Sequence, residues 1–157
     1  DSVTALASFA STQRRFENRG TKNAVEYFDD YAHHPGEISA AILALNSWYK
    51  TQPKIVAFQP HTYSRTKQLL HEFIHAFKHA QTVYLLDIFA SARESFDPSI
   101  TSDDIVAGIK RHYPHITVAN LKTTKKLAQA LQESATPGSV VLTLGAGDIY
   151  KVHDLLP

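Results

Sequence analysis

The sequence predicts an α/β fold, with a mostly parallel sheet of about six strands, helices on both faces and an antiparallel edge. Three observations lead to this prediction. Short apolar segments alternate with amphipathic ones along most of the chain, a pattern typical of strands joined by crossover helices. Most of the predicted strands are continuous apolar runs, as expected when both faces of a sheet are covered. A short polar turn joins the first two strands, which favours antiparallel pairing. The predicted fold is therefore Rossmann-like.

The amino-terminal third contains two predicted strands and the most clearly periodic helix. The predicted elements are a helix at residues 2–9, strands at 13–19 and 24–28, and a helix at 35–49. Turn-forming residues at 18–23 separate the two strands. The long helix is indicated by apolar side chains at helical spacing, namely Ile38, Ala41, Ile42 and Leu45. We assign residues 1–11 to a linker or to the tail of a preceding domain, and residues 12–157 to one domain.

The rest of the chain repeats the alternation of strands and helices. The predicted strands are at 54–58, 82–86, 116–118 and 139–144, and the predicted helices begin at Ser64, at Thr101, at Thr123 or Thr124, and after Gly147. Ser64 is the expected N-cap of its helix. The buried stripe of that helix is formed by Leu70, Phe73, Ile74 and Phe77. Residues 87–98 have no regular pattern and are expected to shape a site.

The composition excludes several classes of protein. There is no cysteine, so the chain has neither disulfide bonds nor a thiolate metal site. A net charge near +1 gives no general attraction to nucleic acid or to a membrane surface. No apolar run approaches the roughly 20 residues that span a bilayer. The first residues do not resemble a signal peptide, which fits a cytoplasmic protein, and the absence of methionine favours a fragment of a longer chain.

The chemically richest stretch lies between the second strand and the long helix. It contains Asp30, Tyr31, His33 and His34, and the helix begins at Pro35. Such a junction lies at the carboxyl end of a parallel strand, where ligands usually bind, and the helix amino terminus favours anions. From the residues alone, Asp30 is either an acid at the helix amino terminus or an acceptor for ribose hydroxyls. One of the histidines is expected to cap the helix.

Other patterns also invite functional interpretation. Arg65 lies at the start of a predicted helix, where the macrodipole disfavours a cation, so a bound carboxylate would explain it. His71, Glu72 and His75 match the H-E-x-x-H pattern of zinc proteases, although we interpret them as part of a surface helix. The segment 145–147 lacks the third glycine of a dinucleotide site and is interpreted as a tight turn. The chain has no phosphate-cradling G-x-x-x-x-G-K-[ST] loop.

Four stretches, in order along the chain, resemble the Mur ligase family, in the branch that uses ATP to join L-alanine to UDP-N-acetylmuramate. They are residues 14–17 (RRFE), 28–38 (FDDYAHHPGEI), 58–66 (FQPHTYSRT) and 145–149 (GAGDI). The resemblance covers nearly the whole chain. It implies the carboxyl-terminal domain of a three-domain ligase in peptidoglycan precursor synthesis. The alternatives are a zinc-dependent hydrolase that uses the H-E-x-x-H residues, or a stand-alone nucleotide-binding module.

The resemblance implies a nucleotide site. Asp30 would accept the ribose hydroxyls of ATP, and Tyr31 and His33 would lie near the nucleotide. The arginine that directly precedes Phe16, Arg15 rather than Arg14, would reach the terminal phosphate. A guanidinium suits this role because it pairs bidentately with phosphate oxygens.

The resemblance also implies an amino-acid site. His61 and Arg65 would recognise the L-alanine carboxylate, with His34 beside them, and Thr62 replaces an arginine found in many members. No catalytic residue and no metal ligand is assigned to this chain. The Mg²⁺ ligands, the phosphate loop and most of the UDP-N-acetylmuramate site would lie in the other two domains, so the isolated chain is expected to be inactive.

Overall fold

The computed structural model describes residues 14–157, which form a six-stranded sheet with helices on both faces. The elements in chain order are β1 (Glu17–Lys22), β2 (Val25–Asp30), α1 (Pro35–Trp48), β3 (Lys54–Phe58), α2 (Tyr63–Gln68), α3 (Leu70–Ala76), β4 (Thr82–Leu86), α4 (Ser102–His112), β5 (Thr117–Lys122), α5 (Thr124–Ser134), β6 (Val140–Leu144) and a 3-10 helix (Ile149–Leu155). Within residues 14–157, no helix combines the length and hydrophobicity needed to cross a membrane. The helix predicted at 2–9 and the segment 1–11 lie outside the described residues.

The strand order is β1-β2-β6-β3-β4-β5. All neighbouring strands from β2 to β5 pair in parallel, and β1 pairs antiparallel with β2. The predicted fold class is therefore confirmed, including its antiparallel edge. The last strand, β6, lies between β2 and β3, and its Leu144 is opposite both Asp30 and Phe58. The carboxyl ends of these three strands meet at one edge of the sheet, which places their following loops together.

Each face of the sheet has its own group of helices. On one face, α1, α3 and α4 pack on a core that includes the fully buried Phe28, Phe58 and Phe73. On the other face, α5 and the 3-10 helix pack on a second core that includes Leu127 and Val141. Burial of one such side chain contributes about 1.5–3 kcal/mol. The two cores therefore fix the strand ends that carry the candidate site.

The β1–β2 hairpin differs from its prediction. Strand β1 begins at Glu17 rather than at residue 13, because residues 14–16 form a turn. The long turn predicted at 18–23 is also wrong, since strand pairing continues to the end of β1. The turn consists of Asn23 and Ala24, with φ angles of 51° and 61°. Two consecutive residues with positive φ match the natural twist of a hairpin. A connection of two residues is therefore sufficient between these strands.

The helix expected to begin at Ser64 also differs. Its N-cap is Thr62, whose hydroxyl accepts the N–H of Arg65 at 3.2 Å. Ser64 is therefore wrong as the N-cap. The helix ends at Gln68 and a new helix follows, in which Leu70 is half-buried and packs against the core. Strand β5 is longer than predicted, and the last helix is of the 3-10 type.

Candidate functional site

The candidate site lies at the edge of the sheet where β2, β3 and β6 end. The loops after these strands meet there, and the loop after β4 joins them through a hydrogen bond from the Thr62 N–H to the Phe89 carbonyl at 2.9 Å. The structure places all of the predicted site residues along this edge. These are Arg15, Asp30, Tyr31, His33, His34, His61 and Arg65. They form two adjoining groups, one around Asp30 and one around His61.

Arg14 ties the loops of this edge together. Its guanidinium pairs with the buried Asp29 at 2.8 Å. It also donates to the carbonyl oxygens of Gly145 and Gly147, at 2.7 and 3.3 Å. Because these contacts occupy the Arg14 guanidinium, Arg14 is a structural residue. The neighbouring Arg15 is exposed and lines the groove beside Asp30, so it is the arginine of the pair that can contact a ligand.

The Arg14–Asp29 pair continues into a buried polar network. The Thr143 hydroxyl donates to Asp29 at 2.6 Å, and its oxygen lies 2.9 Å from Nε2 of His153. Burial lowers the pKa of His153 from 6.5 to about 4, and the nearby Asp29 carboxylate offsets only part of this effect. His153 is therefore neutral at pH 7. This network could not be predicted from the sequence, because nothing in the pair Asp29-Asp30 shows which carboxylate is buried.

The Asp30 carboxylate holds two loops in place. Its two oxygens accept the backbone N–H groups of Phe16 at 2.9 Å and Ala32 at 2.7 Å. Helix α1 begins at Pro35, with His34 at its N-cap position and Glu37 as the acid of its first turn, so the interpretation of Asp30 as an acid at the helix amino terminus is wrong. Each carboxylate oxygen has a second lone pair. The fixed carboxylate can therefore still accept hydrogen bonds from a ligand.

A groove of about 510 Å³ lies beside Asp30. Its lining residues are Arg15, Phe16, Asp30, Tyr31, Ala32, His33, Glu37, Ala40, Ala41 and Ala44. The small alanine side chains of α1 leave the space open. Tyr31 is 45% exposed at the rim, and its ring meets the His33 ring edge-on, with centroids 5.2 Å apart. One cation, two carboxylates and the rings of Phe16, Tyr31 and His33 therefore line a single groove.

Three histidine rings connect the groove to the second group of residues. The ring centroids of His33 and His34 are 5.0 Å apart, and those of His33 and His61 are 6.4 Å apart. His34 occupies the N-cap position of α1, but its side chain makes no capping hydrogen bond. The expected histidine cap is therefore wrong in its chemistry. Glu37 instead reaches back and accepts the N–H of His33 at 3.2 Å.

His61 and Arg65 form a polar pair at the start of α2. Nδ1 of His61 lies 3.5 Å from Nη1 of Arg65, and the imidazole stacks on Phe89 with centroids 5.9 Å apart. Burial lowers the pKa of His61, and the charges of Arg65 and His33 lower it further against the opposing effect of Glu94. The neutral imidazole is therefore favoured at pH 7. A guanidinium beside a neutral imidazole can bind a carboxylate.

Glu94 caps α2 from the loop after β4. Its carboxylate oxygens accept the N–H groups of Tyr63 at 2.8 Å and Ser64 at 2.7 Å, while Thr62 accepts the third N–H of the helix. The first three N–H groups of α2 therefore already have acceptors, and a ligand carboxylate at this helix would have to bind through side chains such as Arg65. Glu94 lies 30 residues from Ser64 in the sequence, so no local pattern predicts that it caps α2. The only sequence signal for Glu94 was the irregular pattern of residues 87–98.

The H-E-x-x-H residues lie on α3, away from this edge. Nε2 of His71 and Nε2 of His75 are 3.2 Å apart, and the other ring nitrogen of His75 bonds to the Tyr113 hydroxyl. Glu72 is exposed. Across the described part of the chain, no group of three histidine or acidic side chains could hold a metal ion. Nothing here supports the alternative of a zinc hydrolase.

Comparison with sequence families identifies relatives along nearly the whole chain. Residues 14–147 match the family model described as Mur ligase, glutamate ligase domain. The UDP-N-acetylmuramate–L-alanine ligase of Clostridium tetani is 41% identical over 98% of the chain. The ligase of the same name from Lachnospira eligens is 44% identical over 96% of the chain. The chain spans 33% and 32% of the lengths of these curated relatives.

Solved structures share the fold. The UDP-N-acetylmuramate-alanine ligase of Thermotoga maritima superposes with a TM-score of 0.72 at 22% identity, over 97% of this chain and 31% of that one. A murein peptide ligase from Psychrobacter arcticus gives a TM-score of 0.75 at 18% identity, over 98% of this chain and 31% of that one. The MurF ligase of Thermotoga maritima, solved in complex with ADP, gives 0.63 at 22% identity, over 98% of this chain and 32% of that one.

Proposed function

This chain belongs to the Mur ligase family, and we propose that it is the carboxyl-terminal domain of an ATP-dependent ligase that joins L-alanine to UDP-N-acetylmuramate. The observation that carries the proposal is its identity of 36–44% with ligases of that name, over 96–99% of the chain. In this reaction ATP phosphorylates the muramate carboxylate, and the amine of L-alanine then displaces phosphate from the acyl phosphate. Such an enzyme works in the cytoplasm, where ATP is available, on precursors of peptidoglycan.

We assign the nucleotide to the groove beside Asp30. The Asp30 carboxylate is held in place by two backbone N–H groups, so its remaining lone pairs can accept the ribose hydroxyls without reorganisation. Tyr31 and His33 would border the nucleotide. Arg15 would contact the terminal phosphate, because its exposed guanidinium lies at the same groove and suits phosphate oxygens.

We assign the amino acid to the second group of residues. Arg65 would pair with the L-alanine carboxylate, His61 would orient it, and His34 would border it. Thr62 replaces an arginine of many family members, yet its hydroxyl caps α2. At this position the chain therefore has a helix-capping hydroxyl instead of a second guanidinium. Since ATP and the amino acid would lie on adjoining groups of side chains, the domain would act by positioning its substrates and by stabilising charge.

Magnesium is expected to accompany ATP. Residues 14–157 contain no group of three acidic or histidine side chains that could hold a metal ion. We therefore assign the Mg²⁺ ligands to the nucleotide and to the other two domains of the enzyme. The UDP-N-acetylmuramate site and the phosphate-binding loop are assigned to those domains as well. No nucleic acid or membrane is among the proposed partners.

Phosphate release tests this division of labour. The full-length ligase that contains this chain should release phosphate only when ATP, UDP-N-acetylmuramate and L-alanine are all present. The isolated chain should release none above the background without protein. Turnover by the isolated chain at the rate of the full-length enzyme would contradict the proposal. Full-length activity that is independent of L-alanine would contradict the choice of amino acid.

A further inference from the structure

We propose that Glu94 is a positioning residue for the amino-acid site, holding the 61–65 turn in the shape that presents His61 and Arg65 to the substrate carboxylate. The inference rests on the proposed function, but it assigns a role to a residue of the loop after β4 that contacts no substrate itself. Glu94 would act through the backbone of Tyr63 and Ser64.

The Glu94 carboxylate lies against the first turn of α2. Its oxygens accept two successive backbone N–H groups, from Tyr63 and Ser64, at 2.8 and 2.7 Å. Partial burial acts to raise the pKa of Glu94, but the N–H groups of Ser64 and Tyr63 prevail and lower it. The carboxylate is therefore ionised at neutral pH. A carboxylate with two short backbone bonds fixes the direction in which the chain enters α2.

The 61–65 turn needs support from outside its own sequence. Thr62 has a φ angle of 68°, a conformation that costs a threonine free energy because it has a side chain branched at Cβ. Helix α2 has only 6 residues, and so short a helix is not stable by itself. Thr62 caps only the Arg65 N–H. Glu94 supplies the other two bonds, so it stabilises a conformation that local sequence does not favour.

The 61–65 turn also sets the geometry of the polar pair. His61 and Arg65 lie on either side of Thr62 and approach to 3.5 Å. If the turn relaxed, the guanidinium of Arg65 and the imidazole of His61 would separate, and the two side chains could no longer contact one substrate carboxylate together. The same loop also provides Phe89, whose ring stacks on His61. Glu94 and Phe89 therefore hold the two ends of the turn from one loop.

A second contact between the same two elements provides a matched control. Lys67, near the end of α2, contacts Asp97 at 3.4 Å and donates to Ser99 at 2.7 Å. This exposed pair joins the loop to α2 but does not contact the 61–65 turn. Asp97→Asn therefore tests attachment of the loop in general, whereas Glu94→Gln and Glu94→Ala test the support of the turn.

Steady-state kinetics of the full-length ligase test the proposal. Loss of both charge-assisted bonds in Glu94→Ala should raise the KM for L-alanine by about tenfold, with the KM for ATP and kcat close to wild type. Glu94→Gln, which keeps one acceptor, should show a smaller rise, and Asp97→Asn none. Hydrogen exchange of the Tyr63 and Ser64 amides in the full-length protein should accelerate in the same order, which provides a readout independent of activity.

Three outcomes would overturn the inference, and they lead to two distinguishable conclusions. If Arg65→Ala raises the KM for L-alanine while Glu94→Ala leaves it unchanged, the amino-acid site stands and Glu94 is only a helix cap. The same conclusion follows if Asp97→Asn matches Glu94→Ala in every parameter. If Arg65→Ala also leaves the KM for L-alanine unchanged, the proposed amino-acid site is wrong, and the role of Glu94 falls with it.

Discussion

Acid should destabilise this fold through His153. The imidazole is buried between the 3-10 helix and the sheet, with Nε2 at 2.9 Å from the Thr143 hydroxyl. Its pKa falls from 6.5 to about 4 because burial disfavours the charged form. Below pH 6.5 the unfolded chain therefore takes up a proton that the folded chain resists. The stabilisation is fully present above pH 6.5 and is lost as the pH falls towards 4.

The size of this effect follows from the two pKa values. With 6.5 in the unfolded chain and about 4 in the folded one, linkage removes roughly 3 kcal/mol of unfolding free energy by pH 4, at about 1.4 kcal/mol per pKa unit. Stability of an ordinary domain is about 5–15 kcal/mol, so the loss is large enough to measure. Other groups titrate in the same range, and a variant is needed to isolate His153.

His153→Gln isolates the effect, because the glutamine amide can replace the Nε2 donor to Thr143 and does not titrate. Urea unfolding, followed by circular dichroism at pH 7.5 and pH 4.0, gives the loss of unfolding free energy for each protein. The loss should be smaller in His153→Gln than in wild type by roughly 3 kcal/mol. His79→Gln, at an exposed histidine, should leave the wild-type loss unchanged. Equal losses in wild type and His153→Gln would refute the reasoning.

Three further predictions concern the edge of the sheet. Asp30→Ala should raise the KM for ATP of the full-length ligase about tenfold to a hundredfold. It should also lower the unfolding free energy by roughly 1–3 kcal/mol, because two backbone donors lose their acceptor. Unchanged ATP kinetics would show that Asp30 is purely structural. Arg14→Ala should lower the free energy of urea unfolding by about 3–5 kcal/mol, since it leaves Asp29 buried without its partner. Arg15→Ala should leave that free energy unchanged and weaken ATP use. If Arg14→Ala is as stable as wild type, Arg14 is dispensable for the fold. Thr62→Arg should lower the Tm through loss of a cap that contributes about 1 kcal/mol, and a Tm at or above wild type would contradict that role.

The spacing of apolar residues along the sequence predicted the fold, because apolar side chains mark the positions that are buried. Continuous apolar runs marked the strands buried on both faces, and the repeat through Ile38 and Leu45 marked α1, which was predicted to within one residue at its carboxyl end. The antiparallel edge followed from the short connection between β1 and β2. These features depend on local chemistry, and so they can be read from a single sequence.

The finer contacts depend on residues distant in the chain, and for that reason they could not be predicted from local sequence patterns. Ser64 is a good N-cap by residue type, but Thr62 has the backbone geometry and Glu94 arrives from another loop. Likewise, Arg14 and Arg15 look equivalent in sequence. Only the fold shows that Arg14 reaches the buried Asp29 while Arg15 remains exposed.

The KM for L-alanine of Arg65→Ala in the full-length ligase tests the central claim most directly. Arg65 lies at the third position of α2, with its Nη1 atom 3.5 Å from the His61 ring, and the six-residue helix places it in the last turn as well as the first, so the helix dipole does not decide its role. The account predicts a rise in that KM of about tenfold or more, with a Tm equal to or slightly above wild type. Lys67→Ala, on the same helix, should leave the KM unchanged. A Tm lowered by several degrees with unaltered alanine kinetics would show that Arg65 supports the fold and that the amino acid binds elsewhere.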